Sequence, residues 1–144
     1  MPLLNSEFME LAGQLSPDGK WVLYSSNDSG RLEVYLQALP PVKGKWKIST
    51  SGGTSPRWSP DGKEIFYLAA ENLMAVEVKS AAPGLEVGIP KVLFEARLAT
   101  TIVGRNPYDV SADGQHFLMI VPVEETTIGT PMTVVVNWQA ALKQ

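Results

Sequence analysis

The 144-residue chain contains no cysteine. That absence excludes a disulfide framework, a thiolate metal site and a cysteine nucleophile. There is one histidine, His116, and no G-x-S-x-G turn, so a Ser-His-Asp hydrolase arrangement lacks support. No Walker loop and no G-x-G-x-x-G occurs, and the acidic residues are not grouped at calcium-loop spacing. Charged residues make up only 19%, 12 basic against 15 acidic, for a net charge of −3. That balance lacks the electrostatic footprint of a general nucleic-acid binder. Long apolar runs are missing too: 117–121 and 133–136 are strand-sized, far short of the ~20 residues of a membrane span. Met1-Pro2-Leu3-Leu4-Asn5-Ser6-Glu7 carries no basic or apolar signal region, and no secretory signal is expected there. The expectation is a soluble chain with no catalytic residue, no cofactor, no metal, and no nucleic-acid or membrane partner. It would be cytoplasmic as it stands, or periplasmic as part of a longer exported parent.

What is present is turn chemistry. Twelve glycines and 11 prolines accompany an ordinary 44% hydrophobic content, which predicts many short elements and many turns in one domain. One phrase recurs: Leu15-Ser16-Pro17-Asp18-Gly19-Lys20-Trp21, then Trp58-Ser59-Pro60-Asp61-Gly62-Lys63-Glu64, then a degenerate Val110-Ser111-Ala112-Asp113-Gly114-Gln115-His116. The aspartates lie 43 and 52 residues apart, the length of a four-stranded propeller blade. Proline presets φ for a type I turn, Asp tolerates the next position, and Gly takes the left-handed return. The serine can bond its own turn backbone. The aspartates are accordingly assigned to turns rather than catalysis.

After each turn come matching apolar segments: 21–26, 32–36 and 46–48, then 64–69, 73–78 and 92–94, then 116–121 and 132–136. Residues 138–143 read as a short helix capped by Asn137. The longer second spacing places insertions near 81–84 and 99–106, both read as loops. The resulting division is an outer strand at 1–4 and blades at about 10–49, 54–95 and 107–137.

These repeats resemble those of TolB-like, WD40-like β-propellers, whose blades carry an S-P-D-G turn. The whole chain is similar to the C-terminal part of propellers attached to bacterial serine/threonine kinases. Supporting stretches are Ser25-Ser26-Asn27-Asp28-Ser29-Gly30, Glu33-Val34-Tyr35, Gly44-Lys45-Trp46, Gly52-Gly53-Thr54-Ser55-Pro56-Arg57-Trp58 and Val136-Asn137-Trp138. The resemblance implies an all-β fold of four-stranded blades. It departs from the family in having three turns where a complete ring has about six blades, and no kinase motif carries over.

Strand counting sharpens the expectation. The third unit lacks an outer strand, while 1–4 aligns with the outer-strand phrase 90–94. A three-blade arc would leave apolar end flanks in water, and such patches mark interfaces. The expected assembly is a homodimer forming a 3 + 3 ring, each 1–4 strand completing the partner's last blade. The alternative is a fragment of a longer gene product.

Gln14, Arg57 and Asp109 occupy aligned polar positions on the innermost strand of each unit, and are the candidates for lining the central channel. Arg57 and Asp109 could also pair across blades. His116 falls at a variable, partly exposed strand position. Lys43, Lys45 and Lys47 alternate on one side of an outer strand, where edge lysines discourage unwanted pairing. Trp46 and Ile48 on the other side are assigned to the core. The expected function is a non-enzymatic scaffold that self-associates and binds a protein or peptide. The opposed one is a small-ligand-binding or lactonase/lyase-like enzyme using the channel.

Overall fold

A computed structural model of the chain describes residues 7–40, 44–81, 84–98, 106–122 and 132–135. Its strands fall into three consecutive antiparallel sheets. The first is a meander of β1 (Glu10–Leu15), β2 (Trp21–Ser26), β3 (Glu33–Ala38) and β4 (Lys45–Lys47). The second contains β5 (Thr54–Trp58), β6 (Glu64–Ala69), β7 (Asn72–Ala81), β8 (Gly84–Val87) and β9 (Lys91–Glu95). The third contains β10 (Tyr108–Val110), β11 (Phe117–Ile120) and β12 (Met132–Val135). No helix occurs among the described residues, and hence none there that is long and apolar enough to cross a membrane. The expected outer strand at 1–4, the helix at 138–143, Lys43 and nearly all of the 99–106 insertion lie outside the described residues.

The repeated phrase builds one turn three times. Gly19, Gly62 and Gly114 have φ near +70° and donate their amides to the carbonyls of Ser16, Ser59 and Ser111, each at 2.9 Å. Only glycine adopts that left-handed backbone at little cost. Each serine hydroxyl donates to the turn aspartate, and each aspartate also accepts the amide two residues on. The serine oxygens in turn accept the amides of Trp21, Glu64 and His116, at 2.9–3.0 Å. These hydrogen bonds hold the aspartates ionised. Those from Ser111 and Gln115, with His116 adding to them, pull Asp113 down to about 2.

Alternation along each strand makes both faces of a sheet apolar, so the sheets stack. Leu23, Leu36 and Ile48 of the first sheet bury against Ile65, Tyr67 and Val76 of the second. Phe66, Leu73 and Leu93 of the second bury against Tyr108, Phe117 and Met119 of the third. Phe66 and Phe117 meet edge to face at 4.9 Å, a geometry favoured by the ring quadrupoles.

One segment corrects the sequence reading. At the insertion near 81–84, read as a loop, Ala81 and Gly84 are instead the ends of two paired strands. β7 continues to Ala81 and pairs with β8, Val78 opposite Val87 and Ala81 opposite Gly84, while β9 pairs with Asn72–Ala75 of the same strand. The reason lies in the alternation of 78–81 and 84–87: Val78, Leu85 and Val87 all reach the core between the first two sheets.

Candidate functional site

The three aligned polar residues sit at one repeat position. Gln14 is opposite Leu23, Arg57 opposite Phe66 and Asp109 opposite Leu118. Each therefore lies on the sheet face directed at the following blade. Gln14 uses that placement directly. Its Oε1 accepts the amide of Trp58 on β5 at 2.9 Å, joining the inner strands of two blades. Arg57 has only donors and cannot repeat this bond to the third blade. Its Nε is buried and has no hydrogen-bond partner among the described residues. Asp109 is exposed, and its Oδ1 accepts the amide of Val110 at 2.9 Å. Arg57 and Asp109 form no ion pair with each other. The second and third inner strands are instead joined by Tyr108, whose hydroxyl donates to the Ser55 carbonyl at 2.8 Å. Burial pushes the Tyr108 hydroxyl well above its ordinary range, with Arg57 pulling weakly the other way.

His116 is half-buried just ahead of β11, with Nδ1 3.2 Å from the Asp113 carboxylate. The contact closes on its own turn. Among the described residues no group of three or more His, Asp and Glu side chains comes together as a metal set.

The lysines of β4 take part in polar clusters that the edge-strand reading did not anticipate. Lys45 and Lys47 lie opposite Gln37 and Tyr35, on the face of the first sheet turned away from the second. Lys45 bonds Asp28, which also accepts the Tyr35 hydroxyl, and its ammonium sits 4.2 Å from the Tyr35 ring centroid. Trp46 and Ile48 point the other way, into the core.

Lys47 reaches Glu33 at 3.2 Å. Glu33 is fully buried, and sequence reading missed it. Its carboxylate also receives Arg31 Nε at 2.7 Å, the Ser49 hydroxyl and the Gly52 amide at 3.0 Å. Burial alone would raise its pKa, but these donors outweigh it and hold Glu33 below the usual carboxylate range. The available signal was a lone acid opening an apolar strand, two residues after an arginine. Its saturated acceptors make it an anchor for the link between blades, and leave it no proton to transfer at neutral pH.

The strongest asymmetry concerns the flanks. At the repeat position of Leu23, Phe66 and Leu118, the first two are 0% exposed and Leu118 is 41% exposed. At the position of Trp58, which is 5% exposed, the first blade has Leu15 at 50%. Elsewhere on the first blade's outer flank, Val22, Tyr24 and Tyr35 are buried within the single chain, a departure from the expectation of two wholly wet end flanks.

Neither a protein-family profile nor a curated protein sequence matches the chain. Among solved structures it is similar to oligogalacturonate lyase from Vibrio parahaemolyticus, a seven-bladed β-propeller, with a TM-score of 0.56 and 16% identity. The match covers 82% of this chain and 31% of that one, so the chain spans about a third of the neighbour's length. At that identity the likeness concerns fold alone. The chain is a partial β-propeller of antiparallel blades.

Proposed function

We propose that the chain is a TolB-like, non-enzymatic interaction scaffold, whose arc of blades is completed to a ring by a second copy and then presented to a protein or peptide. The supporting observation is Leu118, exposed at a position where its two repeat counterparts are wholly buried. Exposed apolar flanks on an unfinished arc favour association, and twofold closure is the commonest symmetric solution. A 3 + 3 ring with strand 1–4 completing the partner's last blade fits the three strands described in the third sheet.

Light scattering across a dilution series tests this reading. The expected result is a mass twice 15.7 kDa that persists on dilution and weakens when residues 1–4 are deleted. A folded monomer at every concentration overturns it.

A second reading, a ligand-binding or lyase-like propeller, draws support from the buried and unpartnered Arg57 Nε and from the neighbour's name. It requires turnover of an acidic sugar oligomer that Arg57→Ala abolishes. Absence of turnover with oligogalacturonate counts against it.

A further inference from the structure

The two seams inside the chain close differently at their inner strands. β1 and β5 carry a bulge at the same repeat position, with Ala12 at φ 55° and Ser55 at φ 50°. Each bulge ends at the polar residue on the face toward the next blade, Gln14 in the first and Arg57 in the second. Gln14 supplies an acceptor there, and the Trp58 amide donates to it at 2.9 Å.

The second seam offers only donors at that place. Arg57 lies opposite Phe66, whose ring meets Phe117 of the third blade, so its side chain shares the face that packs on that blade. A guanidinium has no acceptor to give. The counterpart of Trp58 is Val110, which packs against the cluster that holds Phe66. Its amide donates instead to the neighbouring Asp109 carboxylate at 2.9 Å. Asp109 lies opposite the exposed Leu118, on the face of its sheet turned away from Arg57. Tyr108 does not fill the place either, because its hydroxyl donates to the Ser55 carbonyl. Arg57 Nε is thus a buried donor with no acceptor among the described residues. An unmatched charged donor is unfavourable, and the planar arginine fork is matched best by a carboxylate.

We infer that the seam between the second and third blades binds a carboxylate group, one oxygen of which accepts Arg57 Nε–H where Gln14 Oε1 stands at the first seam. This deepens the ligand-binding reading, on which it rests for Arg57 as a contact, and it requires no turnover. The Val110 amide is the second donor of the site, and Asp109 competes for it.

The Arg57 Nε–H resonance, assigned through its own side chain, reports the contact directly. Succinate is expected to shift it saturably in the full chain, whereas succinamide, its neutral counterpart, and sodium chloride at matched ionic strength are not. Arg57→Gln is expected to lower succinate affinity, read from the Val110 amide, at least about tenfold, the loss of one charge-assisted hydrogen bond. That glutamine also restores an acceptor of the Gln14 kind, so thermal melting at or above the wild-type temperature verifies folding. Asp109→Ala frees the Val110 amide and removes a negative charge, and is expected to tighten succinate several-fold. Oligogalacturonate and an aspartate-rich peptide present the same group, and the one that displaces succinate at the lower concentration names its source.

A wild-type Nε–H resonance that succinate leaves unmoved, or that chloride moves equally, overturns the site. A succinate shift without turnover of oligogalacturonate leaves the site standing and removes the lyase reading. Turnover that Arg57→Ala abolishes, without any succinate shift, does the reverse.

Discussion

The two faces of strand β11 have opposite environments. Phe117 and Met119 are buried against the second blade, and Phe117 touches the rings of Phe66, Phe94 and Tyr108. Leu118, between them in sequence, faces the other way and is largely open. Three consecutive apolar residues thus have two fates, since among the described residues only one face of this sheet packs on another sheet. The first blade offers a third case. Among the described residues no blade precedes its outer flank, yet Tyr24 and Tyr35 are buried there, with Lys45 over the Tyr35 ring and Glu33 anchoring the adjoining link. The two end faces of the arc thus differ in burial: Tyr24 and Tyr35 are covered at one end, and Leu118 is open at the other.

Phe117→Ala gives the largest contrast. It removes the centre of an aromatic cluster and should cost about 3–5 kcal/mol by denaturant unfolding. A loss no larger than that of a surface change would erase the distinction between the two faces.

Glu33→Ala should cost about 2–3 kcal/mol, because Ser49 and the Gly52 amide lose a charged acceptor. The pH dependence has a definite sign. Glu33 has a lower pKa folded than unfolded, so its contribution is complete above the ordinary glutamate range, about pH 4.3. It declines as pH falls through the folded value. Asp113, at about 2, acts the same way at lower pH. Glu33→Gln should therefore flatten the upper part of the acid limb in a pH series of thermal melts.

Asp18→Ala and Asp61→Ala should each cost about 1 kcal/mol, and nearly equally, since both remove the same pair of hydrogen bonds. Asp61 lies in the middle blade and Asp18 in the end blade. A large difference would mean that the turns respond to neighbouring blades rather than folding locally. Leu118→Ala should change the unfolding free energy of the dissociated chain by under about 0.5 kcal/mol. A greater loss would mean that its flank is covered after all.

Much of this was legible in residues whose physics is local. Strands 21–26 and 64–69 follow from short apolar runs bounded by turn phrases, and the Ser-Pro-Asp-Gly repeat specifies its own hydrogen bonds within five residues. The sides taken by Lys45 and Trp46 follow from a period of two. Other features depended on distant partners. The pairing of 78–81 with 84–87 was missed because no Asn-Gly or Asp-Gly signal stands between those two stretches of sequence. Gln14 was identified as an aligned polar position, but its partner, the Trp58 amide, lies 44 residues away. Glu33 was not singled out in the sequence, because its donors Arg31, Lys47, Ser49 and Gly52 converge on it only in the fold.

The sequence by itself determined the blade: its turns, its strand period and its repeat length are written in contacts between near neighbours. Tertiary structure alone decided which faces of those blades are covered. Leu23, Phe66 and Leu118 are apolar residues at one repeat position, and burial depends on whether another sheet stands opposite, a property no single segment encodes.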